Sequence, residues 1–477
     1  MDVLTPTEFR RQAARMADWI SDYLEDSNRP VTPGVRPGEI RASLPQAAPE
    51  EPEDFTQILD DFERLLVPGL THWNHPRFFA YFPASSSAAG ILAEFLAAAL
   101  NQQAMLWRTS PTATELEATV LGWLGRAVGL PDAFEGVIYD TASVSTLHAL
   151  AAARHAAVPE IRQQGLREAG ELRVYCSDQA HSSVDKAVLL LGLGLQSLVR
   201  IPVDDDFRMR VEALEAAVSE DLLAGRRPMA VVATVGTTST TSVDPVVPIA
   251  DLCQRHGIWL HVDGAYGGVA GLVPELAHLL AGCERADSMV INPHKWLFTP
   301  FDLSAFFCRR MEVLRGAFSL VPEYLRSAEE TPNLMDTGVQ LGRRFRALKL
   351  WMIMRAFGTR GLADRLRRHV AMAQDFAARV DASEDFERLA PTPLGVVCFR
   401  ALRPDLEAEA LDRLNQDLLD AINRTGEVFL SHTRLRNRFT LRMALGGLRT
   451  TPQDVQTCWE LLVATLRRLE ERPAADS

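Results

Sequence analysis

Short apolar segments alternate with longer amphipathic ones from about residue 88 to about residue 300 of this 477-residue chain. The apolar segments have the length of strands and lie at 136–139, 173–176, 229–234, 257–262 and 288–291. Segments of helical length separate them, and this alternation predicts an α/β domain with a mostly parallel sheet. Ligands of such sheets bind beyond the carboxyl ends of the strands, so the residues that follow each strand are the candidates for a functional site.

The chain has a different character on either side of this region. Thr5 and Glu8 have capping-box spacing around Pro6, which predicts an N-terminal helix, and its aromatic residues need a partner surface to bury them. A proline-rich acidic stretch follows at 29–53. Beyond residue 350, helical segments and apolar segments at 394–400 and 438–443 predict a smaller α+β domain. We therefore expect a helical segment at 1–87 that wraps a partner subunit, a large domain at 88–350 and a small domain at 351–477.

The composition is that of an ordinary globular protein, with 47% hydrophobic and 23% charged residues. A formal net charge of −12 argues against nucleic acid or an anionic membrane surface as the main partner. The arginine-rich segment 343–346 is therefore interpreted as helix surface or as a subunit contact.

The six cysteines are scattered, without a Cys-x-x-Cys pair and without the spacing of zinc ligands. This pattern favours free thiols in a reducing compartment and no metal site. The N-terminus lacks the basic and apolar regions of a secretory signal, and no uncharged apolar run reaches about 18 residues. We expect a cytoplasmic protein that does not enter a membrane.

Lys295 and Asp263 follow two strands that are close together in the sequence. Alone, the lysine would be interpreted as a surface charge and the aspartate as a helix cap. Together, an amine and a carboxylate at two neighbouring strand ends suit the two ends of pyridoxal phosphate. The lysine would form a Schiff base with the aldehyde, and the aspartate would pair with the protonated ring nitrogen. The small residues Gly264 and Ala265 would let a flat ring approach the backbone.

Three further groups follow strands of the same domain. The segment 140–143 lies between a strand and a helix, where free N–H groups and the helix dipole favour a phosphate. His181 has a flat ring that can stack on the pyridine ring and titrates near neutral pH. Thr238 follows another strand and can reach a cofactor oxygen. Each signal alone is modest, and their joint position at strand ends makes a cofactor site the better interpretation.

These residues together resemble the pyridoxal-phosphate-dependent group II amino-acid decarboxylases, and among them the aromatic-L-amino-acid decarboxylases. The resemblance runs from the first helix to about residue 460. Its most specific stretches are 178–184, 260–266 and 292–296, and 71–73, 78–83 and 341–346 match as well. It implies a fold-type-I homodimer with the active site at the subunit interface.

The resemblance also implies roles for individual residues. It matches Lys295 with the Schiff-base lysine, Asp263 with the partner of the ring nitrogen, and His181 with the stacked histidine. His294 matches a histidine near the reacting carboxylate. The other cofactor-contacting positions that it implies are Ala142, Ser143, Thr238, Ala265 and Asn292.

Tyr324 matches a loop tyrosine that protonates the carbanion in this family. Relatives with phenylalanine there tend to form an aldehyde instead. A phenol can donate a proton and a phenyl ring cannot. The resemblance therefore implies a catalytic role for Tyr324, although the segment from Tyr324 to Gly342 is a few residues shorter than in the animal enzymes.

The substrate pocket that the resemblance implies favours an aromatic L-amino acid, such as tryptophan, tyrosine, phenylalanine or dihydroxyphenylalanine. The small Gly342 leaves room for a large ring. The polar stretch 101–105, which would reach the site from the neighbouring subunit, keeps glutamate or diaminobutyrate open as substrates. The sequence also leaves open an aldehyde-forming enzyme and an inactive homologue. The implied pocket residues are Trp73, Tyr81, Phe82, Pro83, Gln103, Met105 and Gly342.

Overall fold

The computed structural model describes residues 4–320 and 333–471. Its α-helices are α1 (Pro6–Glu25), α2 (Glu39–Ser43), α3 (Phe55–Asp61), α4 (Ala88–Leu100), α5 (Pro111–Ala127), α6 (Ala142–Ala157), α7 (Ile161–Gln164), α8 (Ser183–Leu190), α9 (Val211–Leu223), α10 (Val246–His256), α11 (Pro293–Trp296), α12 (Met311–Phe318), α13 (Ala347–Asp381), α14 (Ala408–Asn423) and α15 (Pro452–Glu470). Its strands are β1 (Glu135–Tyr139), β2 (Leu172–Ser177), β3 (Leu198–Ile201), β4 (Arg227–Thr234), β5 (Trp259–Asp263), β6 (Ser288–Ile291), β7 (Ser304–Cys308), β8 (Phe386–Arg388), β9 (Val396–Ala401), β10 (Ser431–Leu435) and β11 (Arg438–Ala444).

The large domain is built on a sheet of seven of the described strands, in the order β1-β7-β6-β5-β4-β2-β3. The pairs among β2 to β6 are parallel, and β7 runs antiparallel to both of its neighbours. Strands β5 and β6 are buried along their whole length, which explains why most of their residues are apolar. The predicted α/β class, with a mostly parallel sheet, is confirmed.

Helices cover both faces of this sheet. α6, α8 and α12 pack on one face, where Val174, Val232 and Phe306 contribute from the strands. α5, α9, α10 and the first part of α13 pack on the other face, against Val231, Leu260 and neighbouring side chains. Because β1, β2, β4, β5 and β6 all point the same way, the segments that follow them meet at one edge of the sheet.

The small domain has a four-stranded antiparallel sheet in the order β10-β11-β9-β8. Its core lies between that sheet, the second part of α13, and the helices α14 and α15. Helix α15 begins with a capping box, in which Thr451 and Asp454 bond to each other's backbone N–H groups. The two predicted strands of this region correspond to β9 and β11.

The N-terminal helix α1 begins as the sequence predicts. Thr5 Oγ1 accepts a hydrogen bond from the N–H of Glu8 at 3.2 Å, and Pro6 is the first helical residue. The reciprocal half of the capping box is replaced by an ion pair between Glu8 and Arg11. The proline-rich stretch at 29–53 contains the short helix α2.

Helix α13 runs across residue 350, where the large and small domains are predicted to meet. Its only non-helical residue is Gly358, with φ of +64°, so the helix changes direction inside its length. A left-handed φ of this kind favours glycine. The division into 1–87, 88–350 and 351–477 stays a prediction.

The interpretation of 343–346 as helix surface is wrong, whereas the alternative of a subunit contact stays a prediction. These residues precede α13, and Arg343 is buried, with Nη2 2.7 Å from the carboxylate of Glu117. Arg346 is largely buried and pairs with Asp302 at 2.8 Å. Local charge density predicts exposure only where no buried carboxylate is available as a partner, and the partner of Arg343 lies far away in the sequence.

Candidate active site

Lys295 lies in α11, a helix of a single turn that follows β6 directly. Asn292 caps the turn and its carbonyl accepts a hydrogen bond from the N–H of Lys295 at 2.9 Å, and Pro293 is the first residue of the turn. The Lys295 side chain is half-buried, and Nζ lies 5.1 Å from the ring centre of Phe82. Burial lowers the pKa of the Lys295 amine; the nearby Asp263 opposes this shift and Arg442 adds to it.

Asp263 ends β5, the strand beside β6, and is 6% exposed. Its Oδ1 accepts a hydrogen bond from the N–H of Ala265 at 3.0 Å. The carbonyl of Ala265 in turn accepts from the N–H of Asn292 at 3.0 Å. The two strand ends that carry the aspartate and the lysine are therefore tied together through their backbones.

An inner cavity of about 180 Å³ lies between these residues. At one end are the first residues of α6, where a helix leaves its N–H groups without partners in its own backbone. Three buried oxygens of the lining, Thr234 Oγ1, Tyr266 Oη and Asn292 Oδ1, have no hydrogen-bond partner among the described residues. The lining includes Thr141, Ala142, Ser143, His181, Thr238, Asp263, Ala265, Asn292, His294 and Lys295.

This cavity fits pyridoxal phosphate. It offers the N–H groups of a helix N-terminus and the unpaired hydroxyl of Thr234, and such donors suit an anion. It also offers a carboxylate for a ring nitrogen and an amine of lowered pKa for an aldehyde. Every cofactor-contacting residue predicted from the sequence lines it.

His181 lies in the turn between β2 and α8 and contributes to the inner cavity and to an outer one. Its Nδ1 accepts a hydrogen bond from the N–H of Ser183 at 3.1 Å. Burial lowers the pKa of His181, with Lys295 adding to the shift and Asp263 opposing it. The ring is therefore neutral at neutral pH, and its one proton is on Nε2.

His294 has the same arrangement. Its Nδ1 accepts from the N–H of Leu303 at 2.9 Å, so the neutral ring also carries its proton on Nε2. Burial, assisted by the charge of Lys295, lowers the pKa of His294 to about 3. Both histidines thus offer an uncharged donor beside the lysine.

Thr238 lines both cavities from the loop that follows β4. This loop leaves the strand through Gly236, whose φ is +87° and where a Cβ would lie 3.0 Å from the backbone nitrogen of Gly267. Its neighbour Thr237 is buried and bonds inside the loop, to Thr240 Oγ1 at 3.0 Å. The loop geometry separates the two threonines, with Thr237 holding the turn and Thr238 facing the site.

The outer cavity measures about 780 Å³ and opens onto Lys295, His181 and His294. Four aromatic side chains line it: Trp73, Tyr81, Phe82 and Phe301. The polar lining also includes Asn74, Ser86, Thr238, Ser239, Ser431, His432, Thr433 and Arg442.

Three of the predicted pocket residues, Trp73, Tyr81 and Phe82, are in this lining, whereas Pro83, Gln103, Met105 and Gly342 line neither cavity of the chain. Gln103 Oε1 instead accepts from the N–H of Arg343 at 2.6 Å, close to Gly342. The assignment of these four residues to the pocket stays a prediction. For Gln103 and Met105 it requires a second subunit.

Arg442 was not predicted from the sequence as a site residue. It is buried in β11, and its guanidinium carbon lies 4.7 Å from the ring centre of Phe82. Nε donates to the carbonyl of Ser239 at 3.0 Å and Nη1 donates to the carbonyl of Tyr81, while Nη2 has no partner among the described residues. Burial lowers the pKa of Arg442. The signal in the sequence was an arginine between the apolar residues Leu441 and Met443 of a predicted strand.

Three predictions concern features outside this geometry. Tyr324 lies outside the described residues. Within residues 4–320 and 333–471, no cluster of His, Cys, Asp or Glu is arranged to hold a metal ion. No helix in that same part of the chain is long and apolar enough to cross a membrane.

Known proteins resemble the chain along nearly its whole length. Residues 37–402 match the family model of the pyridoxal-dependent decarboxylase conserved domain. An aromatic-L-amino-acid decarboxylase from Bos taurus is 42% identical over 99% of this chain and 99% of its own.

Two solved structures are similar in fold as well. The structure of Oryza sativa TDC with PLP and tryptamine has a TM-score of 0.95 and 36% identity, covering 98% of this chain and 99% of its own. A Catharanthus roseus tryptophan decarboxylase in complex with L-tryptophan has a TM-score of 0.92 and 37% identity, covering 98% of this chain and 100% of its own. With a site that fits the cofactor and these full-length similarities, the chain belongs to the family of pyridoxal-dependent decarboxylases.

Proposed function

We propose that this enzyme removes carbon dioxide from an aromatic L-amino acid and releases the corresponding amine. The observation that carries the proposal is the outer cavity, whose aromatic walls lead directly to Lys295. Its volume of about 780 Å³ accommodates an indole or phenol side chain, and flat rings pack favourably against Trp73, Tyr81 and Phe82. The aromatic decarboxylases among the relatives support the same substrate class.

The inner cavity supplies a residue for each part of the cofactor. Ala142, Ser143 and Asn292 would hold the phosphate, Thr238 would contact a cofactor oxygen, and Asp263 would hold the ring nitrogen. Ala265 and His181 would lie against the ring. When bound, pyridoxal phosphate supplies a protonated ring that accepts the electron pair left at Cα as carbon dioxide departs.

Lys295 contributes an amine whose pKa is lowered by burial. Only the unprotonated amine attacks an aldehyde, and the lowered pKa of Lys295 increases the fraction in that form. The carboxylate of Asp263 limits the shift, so the amine can still take up a proton when it is displaced. The lysine is thus suited both to hold the cofactor and to accept a proton.

His181 and His294 present Nε2–H donors without a positive charge. A neutral donor can orient the α-carboxylate of the substrate without the strong ion pair that would stabilise the ground state and slow the loss of carbon dioxide. We propose that the two histidines orient the carboxylate in this way, and that Tyr324 returns a proton to Cα.

Arg442 favours a second candidate substrate class. Its buried guanidinium has no carboxylate beside it among the described residues, and it faces the outer cavity. A buried charge without a partner is costly, so an acidic substrate side chain, as in glutamate, would supply one. The aromatic walls favour the first class, and the guanidinium also packs on Phe82, which gives it an alternative stabilising contact.

We propose further that the enzyme is a cytoplasmic homodimer. Leu92, Phe95, Leu96 and Leu100 of α4 are each about half exposed, and Phe95 stacks on the equally exposed Phe9 at 6.4 Å. A contiguous apolar patch of this kind is typical of a subunit interface. A second subunit would also bring Gln103 and Met105 to the site. The six buried free thiols support a reducing compartment.

A product assay tests the reaction. Enzyme loaded with pyridoxal phosphate is given aromatic and acidic L-amino acids, and amine, aldehyde and carbon dioxide are all measured. Equal amounts of amine and carbon dioxide from an aromatic acid are expected, with no turnover by Lys295→Ala. Turnover of glutamate alone would support the second class. Aldehyde with ammonia and peroxide would indicate an oxidative enzyme, and normal turnover by Lys295→Ala would contradict the assignment of the lysine.

Sedimentation of the wild type and of Phe95→Asp tests the assembly. A charge in the apolar patch is expected to shift the protein from dimer to monomer and to abolish turnover. Lys186→Ala, a substitution on α8 outside this patch, serves as the control. A wild-type protein that sediments as a monomer with full activity would contradict the proposal.

A further inference from the structure

A directed hydrogen-bond chain begins at Trp296, the residue after Lys295. Its indole N–H donates to Nδ1 of His369, with 3.0 Å between the two nitrogens. An indole nitrogen only donates, so Nδ1 of His369 is the acceptor and Nε2 carries the proton. Nε2 in turn donates to the carbonyl oxygen of Gly447 at 3.1 Å. Burial lowers the pKa of His369 to about 4, so the ring stays neutral at neutral pH.

This chain joins three parts of the molecule. Trp296 ends α11, whose single turn is too short to be stable without outside contacts. His369 lies in α13, beyond the change of direction at Gly358. Gly447 follows β11 of the small domain. The helix that carries the cofactor lysine is therefore tied to the small domain through one imidazole ring.

The packing around Trp296 leaves little room for it to move. Its ring is fully buried and stacks on Tyr266 with 4.6 Å between centres and an angle of 10°. On the small-domain side, a Cβ on Gly446 would lie 3.3 Å from Trp296 Cδ1. A Cβ on Gly395 would lie 2.7 Å from the Tyr266 hydroxyl oxygen. Two glycines thus let the backbone of the small domain close on the stacked rings, and a displacement of His369 would be transmitted to Trp296.

We propose that His369 is a positioning residue for the reaction, which acts on Lys295 through Trp296 without touching cofactor or substrate. The hydrogen bond at Nδ1 fixes the indole, the indole fixes the end of α11, and α11 places the lysine amine. This role of His369 rests on the assignment of Lys295 as the cofactor lysine in the proposed function.

Substitutions of Trp296 and His369 test the hydrogen bond at Nδ1 of the imidazole separately from the one at Nε2. Trp296→Phe removes only the donor. His369→Gln places its amide near the former Nε2 and loses the acceptor for Trp296, whereas His369→Asn places an oxygen near the former Nδ1 and keeps it. We expect kcat to fall on the order of 10-fold to 100-fold in Trp296→Phe and His369→Gln, since small misplacements cost that much. KM is expected to change little, and His369→Asn to retain most of the activity.

A second measurement does not depend on turnover. The absorbance of bound pyridoxal phosphate titrates with pH and reports on its linkage to the lysine. We expect the titration midpoint to shift in Trp296→Phe and His369→Gln and to stay near that of the wild type in His369→Asn. Phe376→Leu is the matched control, since Phe376 lies in the same helix, packs on Phe399 at 5.3 Å and belongs to the core of the small domain. It should lower the melting temperature without moving the midpoint.

Three outcomes decide whether His369 has this role. The first outcome is that Trp296→Phe and His369→Gln melt at lower temperatures but keep the kcat and the titration midpoint of the wild type. It would overturn the positioning role of His369, because the contact would then be only structural. His369→Asn as impaired as His369→Gln would overturn the route through Nδ1. Normal turnover by Lys295→Ala would instead remove the assigned lysine, and with it the proposed function, whatever the His369 variants show.

Discussion

Replacing Glu117 with leucine is expected to destabilise the fold by about 4 to 8 kcal/mol, because two losses combine. Glu117 Oε1 lies 2.7 Å from Nη2 of Arg343, and the two side chains are only 2% and 5% exposed. The substitution leaves a buried guanidinium unpaired, which costs about 3 to 5 kcal/mol. The same oxygen accepts from the N–H of Ile138 at 2.8 Å, and an unpaired buried N–H adds about 1 to 3 kcal/mol.

The position of this ion pair explains why it is buried. β1 is an edge strand of the large sheet and pairs only with β7 among the described strands. On its open side, Glu117 accepts from the N–H of Ile138, and Arg343 donates to the carbonyl of Ile138 at 2.7 Å. The pair therefore completes the hydrogen bonds of the edge strand two residues before Asp140, the first residue of the segment 140–143 that is proposed to hold the phosphate. We expect Glu117→Leu to weaken pyridoxal phosphate binding as well.

Urea unfolding, monitored by circular dichroism, gives the unfolding free energies of Glu117→Leu, Arg343→Met and the double variant. The double variant buries no charge, so it should be more stable than the sum of the single losses implies, by about 3 kcal/mol. Glu215→Gln is the control, because its pair with Arg255 is more than half exposed on both sides and should leave the unfolding free energy almost unchanged. Additive losses in the double variant would refute the reasoning, since the two side chains would then act independently.

Other changes give equally direct tests. Tyr324→Phe should divert products from amine towards aldehyde, ammonia and peroxide, measured by chromatography, and an unchanged amine yield would assign the proton to another group. Gly395→Ala should cost about 1 to 3 kcal/mol and lower the melting temperature, because its Cβ would lie 2.5 Å from the carbonyl oxygen of Leu445. Burial lowers the pKa values of His148 and His261 to about 4, so the unfolded chain binds more protons between pH 6.5 and 4. Stability should therefore fall as the pH drops through that window, by about 1.4 kcal/mol per pH unit for each ring, and His148→Phe should reduce this slope in unfolding measurements at several pH values.

The central sheet could be predicted because its strands are buried on both faces. Apolar residues predominate in β5 and β6, and short segments of this kind, bounded by turn residues, are typical of buried strands. β3 and β7 are not among the predicted strands. β3 has an exposed arginine at Arg200 and lies at the other edge of the sheet, so its sequence carries a weaker apolar signal.

The inner site could be predicted because parallel strands bring their carboxyl ends together. The positions of Asp263, His181 and Lys295 after their strands were sufficient to group them. The outer cavity depends on contacts between distant parts of the chain, and Arg442 reaches it from the small domain. Gln103 and Met105 lie away from it in the single chain. Neither strand periodicity nor local charge carries that information, since both describe neighbours along the chain.

The protonation of the site follows from backbone geometry that no sequence pattern displays. His181 and His294 each receive a main-chain N–H at Nδ1, from Ser183 and Leu303 respectively. Because a neutral imidazole has one proton, both must present Nε2–H to the cavities. Burial lowers both pKa values, so the site keeps two uncharged donors beside Lys295. A site arranged in this way can orient a carboxylate yet let it leave as neutral carbon dioxide, which a pair of imidazolium ions would oppose.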